Sequence, residues 1–295
     1  CAQVWDPFET YEWKNGKPGK RPHPLIYECH IGMAAEEEKV GTFEEFRLNV
    51  LPKVAELGYD TLQIMALQEH PYYGSFGYQV ANFFALSSRF GTPEEFKALV
   101  DDAHGLGIAV VMDIVHSHSV DNEAEGLGLF DGKETLYFYD GWQGHHPAWG
   151  SRCFDYGKDE TKYFLLSNCK YWMEEYHIDG FRFDLMGMLD VPLMNRIQQE
   201  LDKRYGAGEK LLYGEPWSGG TCNPRAKTEL AHKGNMKKLN AAIGAFCDNT
   251  RDAVKGSLMN EKDRGFVNGN GLHAAKVRSC VTGWAEGENA KIRSP

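Results

Sequence analysis

The sequence predicts an α/β chain built as an incomplete (β/α)8 TIM barrel, with strands one to six present and a long loop after strand three. Three observations predict it. Strand-like and helix-like segments alternate along most of the chain. Residues 109–115 form a strand that is apolar except for Asp113, as expected of a parallel sheet covered on both faces. Polar side chains cluster where successive strands end, the place where such barrels carry chemistry. A doubly wound sheet is the competing architecture. The residues after strand one, Gly32 to Glu38, are acidic and lack GxGxxG, so nucleotide binding gets no support.

Residues 1–24 read as an N-terminal extension and 25–295 as the partial barrel. Strand one spans 25–31. Residues 43–57 are an amphipathic helix with Thr42 as N-cap, Glu44 and Glu45 in its first turn, and Gly58 at its end. Strand two spans 61–67. Thr92-Pro93-Glu94-Glu95 starts a helix that runs to about His104, closed by Gly105 and Gly107. Strand three is 109–115. Residues 119–160, rich in Gly, Asp, Trp and Tyr, read as a long loop insertion. A helix at 162–176 precedes strand four at 180–185, and a helix at 192–205 precedes strand five at 211–217. Strand six is 241–247, followed by a helix at 251–258. No seventh or eighth strand is read.

The chain has 295 residues and 42% apolar content, enough for one large core. A net charge of −10 without a basic run argues against nucleic acid and anionic membranes. No stretch approaches the roughly 20 apolar residues of a membrane span, and the opening residues do not read as a signal peptide. Cys29, Cys169 and Cys247 lie in apolar patterns and read as buried free thiols, which suits a cytoplasmic setting. The first residue, Cys1, and the strandless last stretch read as those of a fragment.

The run Gly180-Phe181-Arg182-Phe183-Asp184-Leu185 places Arg182 and Asp184 on one strand face, with Phe181, Phe183 and Leu185 on the other. A buried carboxylate needs a partner, which Arg182 supplies. A structural ion pair is the plain alternative to catalysis. Strand three contributes Asp113, His116 and His118; strand five contributes Glu215 and Trp217. Asp113 is expected to pair with Arg182 as a structural group. No third ligand completes a metal site around His116 and His118, no oxygen cluster suits calcium, and no cofactor is implied. Asp184 and Glu215 suit retaining glycoside chemistry, one as ionised nucleophile and one as protonated acid, about 5–5.5 Å apart. Arg182 is expected to lower the pKa of Asp184, and the apolar Trp217 to raise that of Glu215.

At these residues the chain resembles the α-amylase superfamily of glycoside hydrolases and transglycosidases (glycoside hydrolase family 13). Asp113-Ile114-Val115-His116-Ser117-His118 is similar to its first signature. Gly180 to Asp184 is similar to the second, with Asp184 at the nucleophile position. Gly214-Glu215-Pro216-Trp217 is similar to the third, with Glu215 at the general-acid position. The resemblance implies that Tyr78 stacks under the sugar beside the cleaved bond, and that His118 binds the same sugar. It also implies an α-glucan substrate: glycogen, starch, maltooligosaccharide or pullulan.

Two departures from the family pattern stand out. Residues 27–33, 77–93 and 151–183 resemble glycogen (starch) branching enzymes. From Leu185 onward, Tyr213 to Trp217 and Arg251-Asp252-Ala253-Val254-Lys255-Gly256 are similar to type I pullulanases. A chimera joined at the shared Gly-Phe-Arg-Phe-Asp motif, or a divergent subfamily, accounts for this. The fourth signature, a His-Asp pair carrying a third acid, is absent, since the chain contains no His-Asp dipeptide. Asp248 resembles it superficially and reads instead as the end of strand six. The reading is therefore a retaining enzyme of branching type, with pullulanase-type debranching or a catalytically silent glucan-binding fragment as alternatives. An unclosed barrel is expected to expose a strand edge, be marginally stable and self-associate.

Overall fold

The computed structural model describes residues 4–19, 22–217 and 229–281. Its centre is a six-stranded, wholly parallel sheet. The first strand, β1 (Ile26–Cys29), is followed by two short helices, α1 (Phe43–Asn49) and α2 (Leu51–Glu56). Thr42 and Glu45 cap α1 reciprocally, each side chain accepting from the other's backbone N–H. The single helix expected over 43–57 is broken at Val50, because Pro52 cannot donate to the helix that precedes it.

β2 (Thr61–Ile64) is the second sheet strand. β3 (Gln68–Glu69) and β4 (Asn82–Leu86) form a small antiparallel pair outside the main sheet. α3 (Pro93–Gly105) carries a second capping box, Thr92 with Glu95, with Pro93 in its first turn. β5 (Ala109–Ile114) follows. The segment expected to be loop contains a three-stranded antiparallel sheet, β6 (His118–Val120), β7 (His145–His146) and β8 (Ser151–Cys153), in the order β6-β8-β7. Strands of two or three residues are too short to show a period.

α4 (Asp159–Glu175), β9 (Gly180–Phe183), α5 (Val191–Tyr205), β10 (Leu211–Gly214), β11 (Ile243–Ala245), α6 (Asp248–Val254) and α7 (Ala274–Val281) complete the chain. The main sheet has the order β1-β2-β5-β9-β10-β11, so β1 and β11 are its edges and it does not close among the described residues. Strand six is shorter than expected, confined to Ile243–Ala245, and its helix begins earlier, with Asp248 opening α6.

A core including Leu62, Val110, Met112, Phe181 and Leu212 lies in and around this sheet. Residues of the N-terminal segment are tied to the helix layer. Tyr11 Oη and the backbone N–H of Lys14 and Asn15 all donate to Asp101 of α3, at 2.8–3.0 Å. Trp13 stacks on His177 with centroids 3.8 Å apart. No described helix is long and apolar enough to cross a membrane. Cys29 and Cys169 are buried thiols as expected, whereas Cys247 is only half-buried.

Candidate active site

Parallel register brings the acids together. Asp113 of β5 lies opposite Arg182 of β9, and Tyr213 of β10 lies opposite the same Arg182. β9 ends at Phe183, two residues earlier than expected, because Leu185 adopts a left-handed backbone with φ +43°. A non-glycine residue there is strained by about 1–2 kcal/mol. The chain therefore turns directly after Asp184, and Leu185, half-buried, leaves the face shared by Phe181 and Phe183. Glu215, one residue past β10, braces that turn. Its Oε2 accepts from Leu185 N at 3.2 Å and its carbonyl from Gly187 N at 2.8 Å. Gly187 is required there, since a Cβ would lie 2.0 Å from the carbonyl oxygen of Trp217.

One guanidinium joins three carboxylates. Arg182 Nη1 donates to Asp113 Oδ1 at 2.9 Å, to Asp113 Oδ2 at 3.0 Å and to Asp184 Oδ1 at 3.0 Å. Its Nη2 pairs with Glu215 Oε1 at 2.6 Å. Tyr78 Oη donates to Asp113 Oδ2 at 2.8 Å. Asp113 is completely buried, while Asp184 and Glu215 expose 13% and 22% of their side chains. Asp184 and Glu215 are thus the more exposed pair.

One cation cannot balance three charges in a desolvated site, so protons are retained. Burial pushes the Asp113 carboxyl up to about 7, with Arg182 pulling the other way and Asp184 adding to the rise. Burial likewise raises Asp184 against the pull of Arg182. The expectation that Arg182 would lower the Asp184 pKa is corrected here, because desolvation outweighs the ion pair. Burial opposes the charge of Arg182, but Asp113, Glu215 and Asp184 together hold it protonated. The Tyr78 phenol is raised by burial and then by Asp113.

His118 is less available than expected. Its Nε2–H donates to the Tyr78 carbonyl at 2.8 Å, which leaves Nδ1 to accept from Ser117 Oγ at 2.9 Å. Both ring nitrogens serve the polypeptide, and burial pushes the imidazole down to about 4. His118 thus fixes the backbone that carries Tyr78. Gly77, at φ +92° and packed on the Ala66 carbonyl, makes the turn before it. Trp217 is half-buried, and no hydrogen bond or ring contact links it to the cluster among the described residues. No group of three His, Cys, Asp or Glu able to hold a metal occurs among them.

Sequence reasoning missed Phe246, whose ring lies 5.9 Å from the Arg182 guanidinium carbon and edge-on to Tyr213. It also missed the line Tyr213 Oη to Gln63 to Glu28, with hydrogen bonds of 2.5 and 2.7 Å across the sheet. The period of two along 211–215 was the available signal, since Tyr213 and Glu215 share a face.

A family profile described as "Alpha amylase, catalytic domain" matches residues 48–134. The 1,4-alpha-glucan-branching enzyme of Yarrowia lipolytica is 52% identical over 185 residues, which is 62% of this chain and 27% of that protein. The enzyme of the same name from Felis catus is 51% identical over 180 residues, 61% of this chain and 26% of that protein. The match spans about a quarter of the length of these relatives. Among solved structures, a mutant pullulanase from Paenibacillus barengoltzii complexed with maltotetraose superposes with a TM-score of 0.81 at 24% identity, covering 95% of this chain and 48% of that one. Pullulanase type I from Bacillus subtilis complexed with maltose gives 0.81 and 24%, covering 95% and 43%.

Proposed function

We propose that this chain, with the fold of a partial barrel, carries an α-amylase-type catalytic domain and acts on α-glucans as a retaining transglycosidase of the branching type. One observation carries the reading: a single guanidinium holds both Asp184 and Glu215, the two carboxylates that open toward solvent. Asp184 attacks the anomeric carbon while Glu215 protonates the departing glycosidic oxygen, leaving a glucosyl–Asp184 ester. Glu215 then takes the proton of an acceptor hydroxyl, which attacks that carbon and releases Asp184. Water as acceptor gives hydrolysis; a sugar hydroxyl gives a branch.

In this reading Arg182 orients both acids, Asp113 is its structural hydrogen-bond partner, and Tyr78 supplies a stacking face. Trp217 and His118 complete the sugar-binding set, His118 through the backbone that it holds. Residues 1–24 are an extension to one catalytic unit over 25–295. The five described cysteines are free thiols, which suits the cytoplasm as the setting. Neither nucleic acid nor membrane is a partner in this reading.

Debranching is the second reading, favoured by the pullulanase-like run from Leu185 onward. The paired test gives the purified chain amylose and pullulan, with Asp184→Asn as control. New α-1,6 branches on amylose are the expected result. Cleavage of pullulan establishes debranching instead. Silence on both, with the protein folded, overturns both readings in favour of a silent glucan-binding fragment.

A further inference from the structure

Gln63 of β2 and Tyr213 of β10 are separated in the sheet by two strands, β5 and β9. On a flat sheet their backbones would stand roughly 14 Å apart, three strand spacings. Tyr213 Oη nevertheless donates to Gln63 Oε1 at 2.5 Å. The bond is therefore a chord across the curl of the sheet, and it spans the two strands that deliver Asp113 and Arg182.

The chord has a fixed direction. Gln63 Nε2 donates to Glu28 Oε1 of β1 at 2.7 Å, which turns the amide oxygen toward Tyr213 and makes the phenol the donor. Burial, and then Asp113, raise the Tyr213 pKa, so the phenol keeps the proton that it donates. The segment around β11 supports the other side of the ring. Gly244 leaves room beside Tyr213, where a Cβ would lie 3.1 Å from the Tyr213 Cβ. Phe246 N–H donates to the Gly214 carbonyl at 3.0 Å, and its ring meets that of Tyr213 edge-on with centroids 5.8 Å apart. The Arg182 guanidinium lies over the Phe246 ring. Arg182 Nε has no hydrogen-bond partner among the described residues. Hydrogen bonds thus hold the guanidinium only at its two terminal nitrogens, and the aromatic face supplies a further restraint on its plane.

We infer that Tyr213, pinned by Gln63, and Phe246 are positioning residues: together they set where the Arg182 guanidinium lies, and through it the spacing of Asp184 and Glu215. The inference rests on the reading of those two acids given above. Both residues act through Arg182, so a displaced guanidinium lowers kcat and leaves KM nearly unchanged.

Nitrogen NMR of the arginine side chains in the 295-residue chain tests the placement, and initial rates on amylose test its consequence. Separate Nη1 and Nη2 signals are expected for Arg182 in the wild-type chain, since slow rotation of a held guanidinium keeps them apart. Tyr213→Phe, which removes only the hydroxyl, and Phe246→Leu should each draw the two signals together. Phe246→Tyr, which keeps the ring, should leave them separate. In the first two variants kcat should fall by about tenfold or more, with KM changed by less than about twofold. Thermal melts confirm that each variant is folded, and Phe246, at 40% exposure, is a position where substitution spares the core. Signals already merged in the wild type, or unchanged in either Tyr213→Phe or Phe246→Leu, overturn this inference whatever the rates. Altered signals with an unchanged kcat overturn it as well. Altered signals in the variants of a chain whose wild type is silent on amylose and pullulan support the placement, and overturn the catalytic reading above instead.

Discussion

Asp113 titrates in the folded protein at about 7, pushed there by burial against the pull of Arg182. In an unfolded chain an aspartate titrates near about 4. Between these values the folded state keeps a proton that the unfolded state has released. The stability contributed is complete below about pH 4 and is lost as pH rises through 7. Asp184, raised in the same direction, adds to that loss. His116 and His118, pushed down to about 4 by burial, act oppositely, since their contribution is lost as pH falls below about 6.5. Urea midpoints at pH 5 and pH 8, taken for the wild-type chain and for Asp113→Asn, separate the two. The wild type should lose more stability relative to the variant at pH 8 than at pH 5, and parallel behaviour would contradict the assignment. Arg182, Asp184, Glu215, Asp113 and Tyr78 were legible in the sequence because strand ends and short motifs mark them. Phe246 was not, because an aromatic at the end of a weak strand looks like core. The occupied nitrogens of His118 were not, because a hydrogen bond to a carbonyl 40 residues away leaves no local pattern.

Helices were the most legible elements. The capping boxes at Thr42 and Thr92 state where α1 and α3 begin, and both begin there. Strand ends were less legible, since nothing in Asp184-Leu185 announces a positive φ. The sheet within 119–160 was hidden because tertiary contacts, not periodicity, create it. Its rivet is Arg152, whose side chain is 2% exposed and lies 5.0 Å above the Phe138 ring. Nε donates to the Gly144 carbonyl at 3.1 Å and Nη2 to the Glu134 carbonyl at 2.9 Å. Arg152→Met should leave these carbonyls unpaired, at about 1–3 kcal/mol. Limited proteolysis should then cut within 121–150 while the main sheet stays protected. Equal protection of the loop in both chains would show that other contacts suffice to hold it. Gln79 gives the loop its bearing on the site. Its Nε2 donates to the Trp149 carbonyl at 2.6 Å and to Ser151 Oγ at 2.9 Å, so the residue next to Tyr78 is tied to this sheet.

At the scale of the molecule, the order β1-β2-β5-β9-β10-β11 leaves two strands each with one bare side among the described residues. Bare parallel edges invite pairing with another chain. Beyond β11, Leu258, Met259 and Leu272 are 56%, 96% and 91% exposed, which adds apolar surface near the same end of the chain. Sedimentation velocity should therefore show a species heavier than 33 kDa whose share grows with loading concentration. Ala245→Lys, which places a charge on the outer strand, should shift the distribution toward monomer; a wild-type chain that is monomeric throughout would remove the argument. The pattern of six strand–helix units was readable from composition and spacing, but that the sheet stays open among the described residues was readable only as an expectation, since it depends on what every strand pairs with. The bare edges also bear on how any rate is to be understood. Dilute and concentrated samples would hold different populations around the same acids, so a turnover number per milligram would describe the preparation and not the molecule. Kinetics gathered across a dilution series, and extrapolated to its lower limit, would report on the single chain.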